Sequence, residues 1–295
     1  MLNEKLKKNA LPYTLVIPMA LMMFIVIIYP VFKTIGMSFF KNYLAQPGNN
    51  PFVGITNYVK LFEDKNFVNS INVTIRYVII TVLVRFVIGL IIALLLNENV
   101  KGQGIARSLI IIPWAMPVVV VCLVFVQMFD FQYGIINYLF TTAGIIKEPI
   151  KWLSDKDLAL PIAMFVNIWK GTPWAAIMLL AGLQGIQKEL YESAEIDGAG
   201  TFKKFWYVTL PTLKPISLTV SLLLIIWTIK DFSIVYVLNK GGPAHATEHM
   251  TIYIYHKAFE GLRMGVASAA GVIMLVVTMI FTIVYLRLLD RAGGE

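Results

Sequence analysis

Charge is scarce in this chain. Only 14% of its 295 residues are Asp, Glu, Lys or Arg, against 58% that are hydrophobic, whereas a soluble domain carries about 25% charged residues. Cysteine is scarcer still. The single Cys122 sits inside an apolar run, which excludes a disulfide framework and leaves a packed thiol as its reading. No Gly-x-x-x-x-Gly-Lys-Ser/Thr stretch occurs, so the chain cannot cradle ATP by such a loop of its own. It has no Ser/His/Asp set, no paired carboxylates and no metal-spaced cluster. His245 and His249 are four apart, but Glu248 is misplaced for the His-Glu-x-x-His order. An enzyme and a metal site are therefore not expected. Nor is a cleavable signal peptide, because the first apolar run is too long and lacks a small-residue cleavage site.

What is present is length of apolar sequence. Several runs reach the ~20 residues that cross a bilayer core of ~30 Å. The reading is an all-α polytopic membrane protein with six transmembrane helices, over 12–39, 70–96, 106–129, 158–183, 216–238 and 265–289. One transmembrane domain, 12–290, lies between short tails at 1–11 and 291–295. Pro18 and Pro30 are expected to kink the first span, and the sequence Pro113-Trp114-Ala115-Met116-Pro117 to break the third. Outer loops are expected at 41–69 and 130–157, the latter anchored at the interface by Tyr138 and Trp152. The formal charge of +8 is spread over loops on both sides, which excludes a nucleic-acid footprint. The Lys and Arg density favours the side carrying the loop at 185–215, in the positive-inside direction.

That polar loop is the longest charged interval with helical periodicity. A short helix over Glu189–Ile196 is broken by Asp197-Gly198-Ala199-Gly200, where Gly supplies a left-handed backbone and Asp is expected to cap the next helix. A second amphipathic helix over Thr201–Leu210 presents Phe202, Phe205, Trp206 and Thr209 along one side, with Pro211 and Pro215 expected to end it. Glu192-Ser193-Ala194, three residues, Gly198, nine residues, then Val208, Thr209 and Leu210-Pro211 resembles the signature loop of ABC importer permeases. In that family the pattern is Glu-Ala-Ala, three residues, Gly, nine residues, Ile, one residue, Leu-Pro. Ser193 and Val208 are the two departures, both preserving size and shape. The string Asp197-Gly198-Ala199 has the form seen in carbohydrate-uptake members.

The resemblance implies a type I ABC importer permease fold whose knob sits in the cleft of an ATPase subunit. It assigns ATPase coupling to Glu192, Ser193, Ala194, Asp197, Gly198, Ala199 and Pro211. The implied partners are a second permease subunit, two ATPase subunits that bind ATP and magnesium, and an extracytoplasmic solute-binding protein. It also implies a sugar substrate, a cell-membrane location and cytoplasmic termini.

Polar groups at membrane depth each ask for a reason. Asn167, Lys170/Gly171 and Trp174 share a helical face in the fourth span, and Thr228 and Asp231 share one in the fifth, adjoined by Trp227 and Lys230. Such residues suit a sugar, whose hydroxyls need donors and acceptors and whose ring stacks on indole. Asn167 and Thr228 equally suit hydrogen bonds between helices, and Trp114 and Trp174 equally suit packing. Carried over from maltose-type permeases, the sugar-binding positions are Trp114, Asn167, Gly171, Trp174 and Thr228. Lys230 and Asp231 are expected to be solvated at the outer helix end, and Arg76 and Arg85 to snorkel or pair with helix ends. A glycerol-phosphate or polyol permease is the near alternative, for which Lys170 is the candidate cation. An ion-coupled secondary transporter is the distant one, disfavoured by the lack of paired intramembrane carboxylates.

Overall fold

A computed structural model describes residues 15–46, 48, 50–98 and 102–293, with backbone alone for 290–293. The tail at 1–11, the start of the first span at Pro12, Lys101 and the final residues of the 291–295 tail lie outside the described residues. Among the described residues the secondary structure is helical, with two isolated bridge pairs and no strand. Five helices are long and apolar enough to cross a membrane, or six when a pair bent by 88° counts as one span.

The chain divides into two compact units. The smaller comprises residues 1–64 and 254–276. It contains α1 (Leu15–Met37), which widens to a π turn at Phe24–Ile28, one residue short of Pro30. A wide turn there fits the proline ring, which removes a backbone donor and crowds the preceding carbonyls. The loop expected at 41–69 holds more helix than its polar composition suggested: α2 (Thr56–Glu63), followed at Lys65 by the next helix. Buried Asn57 ties this segment together by donating to the carbonyls of Ser38 and Phe40, at 2.7 and 3.0 Å. Lys257 pairs with Asp64 at 2.8 Å.

The larger unit, 65–253 and 277–295, carries the polar cavity and the signature loop. Its longest helix is α3 (Lys65–Asn97), buried along Phe67, Ser70, Thr74, Tyr77, Thr81, Arg85, Gly89 and Ala93. Steps of three and four make that one stripe of the helix. Gly89 lets α3 approach α7 (Ala159–Gln184) closely, since a Cβ there would lie 3.0 Å from that of Ala175. Small residues at helix contacts do this in membranes, where packing replaces the hydrophobic drive.

The third span breaks at Pro113–Pro117 as expected: it is an elbow of α4 (Gln103–Ala115) and α5 (Val118–Met128), with Met116 and Pro117 extended between them. The fifth starts earlier and stops sooner than 216–238. It is α9 (Thr201–Ile229), continuous with the second helix of the polar loop, followed by a separate α10 (Ser233–Asn239). Pro211 and Pro215 therefore interrupt nothing. A π turn at Phe205–Thr209 places the Leu210 N–H on the Phe205 carbonyl, and Pro211 sits at the start of the next helical segment, where it needs no donor. The last span matches its expectation: α12 (Met264–Gly293) follows α11 at 250–260. Between them in chain order, α6 (Ile135–Thr142) lies in the second outer loop and α8 (Lys188–Ile196) opens the polar loop.

Candidate functional site

Four side chains from three elements meet inside the larger unit. Asn167 of α7 accepts from Arg85 of α3 at 3.1 Å through its carbonyl oxygen. Through its amide it donates to the Tyr77 hydroxyl at 3.0 Å and to Asp231 at 2.8 Å. Tyr77 donates to the same Asp231 oxygen at 2.7 Å. Asp231 lies where α9 ends, with its other oxygen 3.5 Å from the Ile234 N–H at the start of α10. The expectation that Asp231 is solvated is thus corrected: its carboxylate is drawn inward to Tyr77 and Asn167, and the helix stops there. Lys230, next to it, is exposed as expected.

Arg85 is likewise corrected. It is 6% exposed, and it neither snorkels nor reaches a helix end. It lies on the buried stripe of α3, eight residues after Tyr77 and four before Gly89, a repeat of four that the sequence displayed. Its guanidinium occupies the space over Gly171, where an added Cβ would land inside it. Arg76, by contrast, is exposed.

These residues border a cavity of about 180 Å3, lined by Trp114, Lys170, Gly171, Trp227 and Thr228 together with Arg85, Asn167 and Asp231. Four of the five expected sugar-binding positions are therefore on one cavity wall or another. Trp174 is not; its ring packs against Trp227, centroids 4.5 Å apart, and Trp227 takes the place at the cavity. Thr228 turns its hydroxyl back to the Leu224 carbonyl at 2.7 Å. Lys170 reaches across to the elbow and donates to the carbonyls of Trp114 and Met116, at 3.0 and 2.9 Å. Those carbonyls face a broken helix end, where a cation is favourable. A larger pocket of about 540 Å3, lined by Phe125, Phe129, Phe165, Trp169 and other apolar side chains, offers no charged group or hydroxyl for a polar ligand.

The polar loop is a fixed hairpin. Gly198 has φ +75°, the left-handed conformation expected of it. The N–H groups of Gly198 and Ala199 close back on Glu195 and Ala194, at 3.0 and 2.8 Å, the pattern that finishes a helix on glycine. Tyr191 and Thr209 join hydroxyls across the two helices at 3.0 Å, and Lys204 pairs with Glu195 at 2.5 Å. Asp197 makes no side-chain cap to the second helix, contrary to expectation; it is the residue that ends the first. Glu192, Ser193, Asp197, Gly198 and Pro211 are exposed, and Ala194 and Ala199 half-buried against the hairpin. Among the described residues no cluster of His, Cys, Asp or Glu is placed to hold a metal ion.

A helical bundle with apolar spans, a broken helix beside a polar cavity, and a rigid hairpin at the end of one span defines a membrane permease. Residues 85–293 match the family described as the inner membrane component of binding-protein-dependent transport systems. The chain is 35% identical over 288 residues to the trehalose/maltose transport system permease protein MalF of Thermococcus litoralis, covering 97% of this chain and 96% of that one. It is 34% identical over 275 residues to the sulfoquinovosyl glycerol transport system permease protein SmoG of Agrobacterium fabrum, covering 93% and 89%. A crystal structure of a bacterial ABC transporter involved in the import of the acidic polysaccharide alginate shares the fold, with TM-score 0.85 at 24% identity over 98% of both chains. The chain belongs to the family of binding-protein-dependent transport inner membrane components, as a multi-pass permease subunit.

Proposed function

We propose that this permease subunit imports a sugar or oligosaccharide handed over by an extracytoplasmic binding protein, with the hairpin of α8 and the start of α9 seated in an ATPase subunit. The observation that carries the coupling role is a bare apolar surface on an otherwise braced loop. Ile196, Phe202 and Tyr207 are 87%, 76% and 80% exposed, and side chains of that kind gathered on a polar loop suit a partner surface. The braces around Gly198, Tyr191 and Lys204 would let the loop transmit displacement rather than absorb it.

In this reading the hairpin and both termini face the cytoplasm, where ATP is. Two ATPase subunits bind ATP and magnesium, and a second permease subunit completes the pathway. Glu192, Ser193, Ala194, Asp197, Gly198, Ala199 and Pro211 form or brace the docking surface. Trp114, Asn167, Gly171 and Thr228 line the sugar cavity, with Trp174 supporting Trp227 from behind. Support for the sugar comes from the trehalose/maltose and sulfoquinovosyl glycerol relatives, and for the binding protein from an alginate transporter of the same fold crystallised with a pentasaccharide-bound periplasmic protein.

The test is Gly198→Asp. Free space surrounds Gly198 within this chain, so the substitution costs only the left-handed backbone, ~1–2 kcal/mol, while placing a carboxylate in the docking surface. Assembly with the ATPase should persist, and substrate-stimulated ATP hydrolysis in proteoliposomes should be lost. Normal stimulation in that variant would defeat the coupling assignment.

A further inference from the structure

We propose that the cavity at the elbow recognises an acidic group on the translocated saccharide, gripped by the Arg85 guanidinium, with Lys170 reinforcing the positive potential. This rests on the sugar reading above and narrows it to saccharides bearing a carboxylate, sulfonate or phosphate.

Most of the neutral hydrogen-bonding groups around the cavity are already spent within the chain. Asn167, which composition would nominate for a sugar hydroxyl, has both amide protons engaged by Tyr77 and Asp231 and its oxygen engaged by Arg85. The Thr228 proton is given to Leu224. Asp231 has one oxygen occupied twice over. Apart from the indole N–H groups of Trp114 and Trp227, the donors left over are cationic. Arg85 makes one side-chain hydrogen bond, to a neutral amide, and its buried Nε has no partner. Lys170 has used two of its three protons on backbone carbonyls.

Charge points the same way. Arg85 and Lys170 line the cavity against the single carboxylate of Asp231. Among the described residues Arg85 makes no ion pair; Asn167 bridges it to that carboxylate. A guanidinium that is 6% exposed, at membrane depth and without a contacting counter-ion, is costly. An anion entering the cavity would supply the missing acceptors, and guanidinium suits the planar, two-point geometry of such groups. Gly171 fits this role: it has no side chain because the guanidinium occupies that space.

The experiment uses the complete transporter in nanodiscs and measures equilibrium binding of methyl glucuronide and methyl glucoside, which differ in one carboxylate. The glucuronide should bind about tenfold tighter, the scale of a charge-assisted hydrogen bond, and inorganic sulfate should compete with it. Arg85→Gln should erase the difference, and Arg85→Lys should keep part of it. Equal affinities in the unmodified transporter, or a preference that survives Arg85→Gln, would overturn the proposal while leaving a sugar cavity standing. Binding of neither sugar would remove the sugar reading and the acidic preference together. Should Arg85→Gln fail to assemble, the unmodified transporter and Arg85→Lys decide: failure of sulfate to compete overturns the proposal.

Discussion

The ammonium of Lys170 lies 3.0 Å from the carbonyl oxygen of Trp114 and so bridges α7 to the elbow between α4 and α5. Its second bond, to Met116 at 2.9 Å, lies within the bend itself. One side chain thereby satisfies two carbonyls that the break leaves without helical partners. Lys170→Met should retain most of the packing and leave both acceptors unpaired, lowering stability by about 1–3 kcal/mol. Lys170→Arg should recover part of that. Thermal unfolding of the two purified variants, followed by tryptophan fluorescence, checks the pair.

Arg85 and Gly171 should behave as one unit. A methyl group at Gly171 would land inside the guanidinium, so Gly171→Ala must displace a buried cation and should cost about 1–3 kcal/mol. In an Arg85→Met background the same change should cost much less, because the flexible thioether can yield. The double-mutant cycle measures the coupling, expected at about 0.5–3 kcal/mol. Additive effects would mean the space over Gly171 is not filled by Arg85.

Asn137 is the second buried polar hub. Its oxygen accepts from the Ile150 N–H at 3.0 Å and from the Trp152 indole at 2.8 Å, while its amide donates to the Ile150 carbonyl at 3.0 Å. Trp152 is therefore tied inward to α6 and packed edge-on against Phe129 and Phe140 rather than standing as a free interface anchor, whereas Tyr138 is 66% exposed. Asn137→Ala should open the 130–157 segment to protease, with a loss of about 2–4 kcal/mol if two buried groups go unpaired. Limited proteolysis at matched protein concentration reads this directly.

His249, in the linker before α11, gives the stability a pH dependence. It is 2% exposed, its Nδ1 faces the Thr251 hydroxyl at 2.9 Å, and its ring packs on Tyr77. Burial lowers its pKa from the ordinary 6.5, while the nearby charges of Asp231 and Glu248 act in the opposite sense. The unfolded chain thus takes up the proton at higher pH than the folded one. Its contribution is complete above the unfolded value and is lost as pH falls towards the folded value. Melting temperature should therefore drop between about pH 7.5 and about pH 5.5, and less steeply in His249→Gln. Identical slopes for the two proteins would assign the drop to other groups.

The spans were legible because membrane burial writes itself into length and composition, as Ala159–Gln184 and the helix from Met264 illustrate. The hairpin was legible because a glycine at positive φ and its flanking helices must keep fixed spacing. The cavity was only half legible. Asn167, Gly171 and Thr228 announced themselves as polar or small residues at membrane depth, but Arg85 was expected to snorkel or to pair with a helix end. A cation within a span looks the same in sequence whether it faces lipid or a neighbour; only its register with Tyr77 and Gly89 distinguishes the two. The end of the fifth span was misplaced for a related reason. Apolar residues continue past Ile229, and the break comes from a carboxylate held by partners on α3 and α7, which lie 154 and 64 positions away in the chain.

The fusion of the hairpin to its span has a mechanical meaning. From Thr201 to Ile229 there are 29 residues of uninterrupted helix, a rod of about 44 Å at 1.5 Å per residue. Its N-terminal end carries bare Phe202 and its C-terminal end carries Thr228 at the cavity wall. A tilt of about ten degrees about either end would sweep the other through roughly 8 Å. No relay of intermediate contacts separates the two ends, for the backbone that carries Phe202 also carries Thr228.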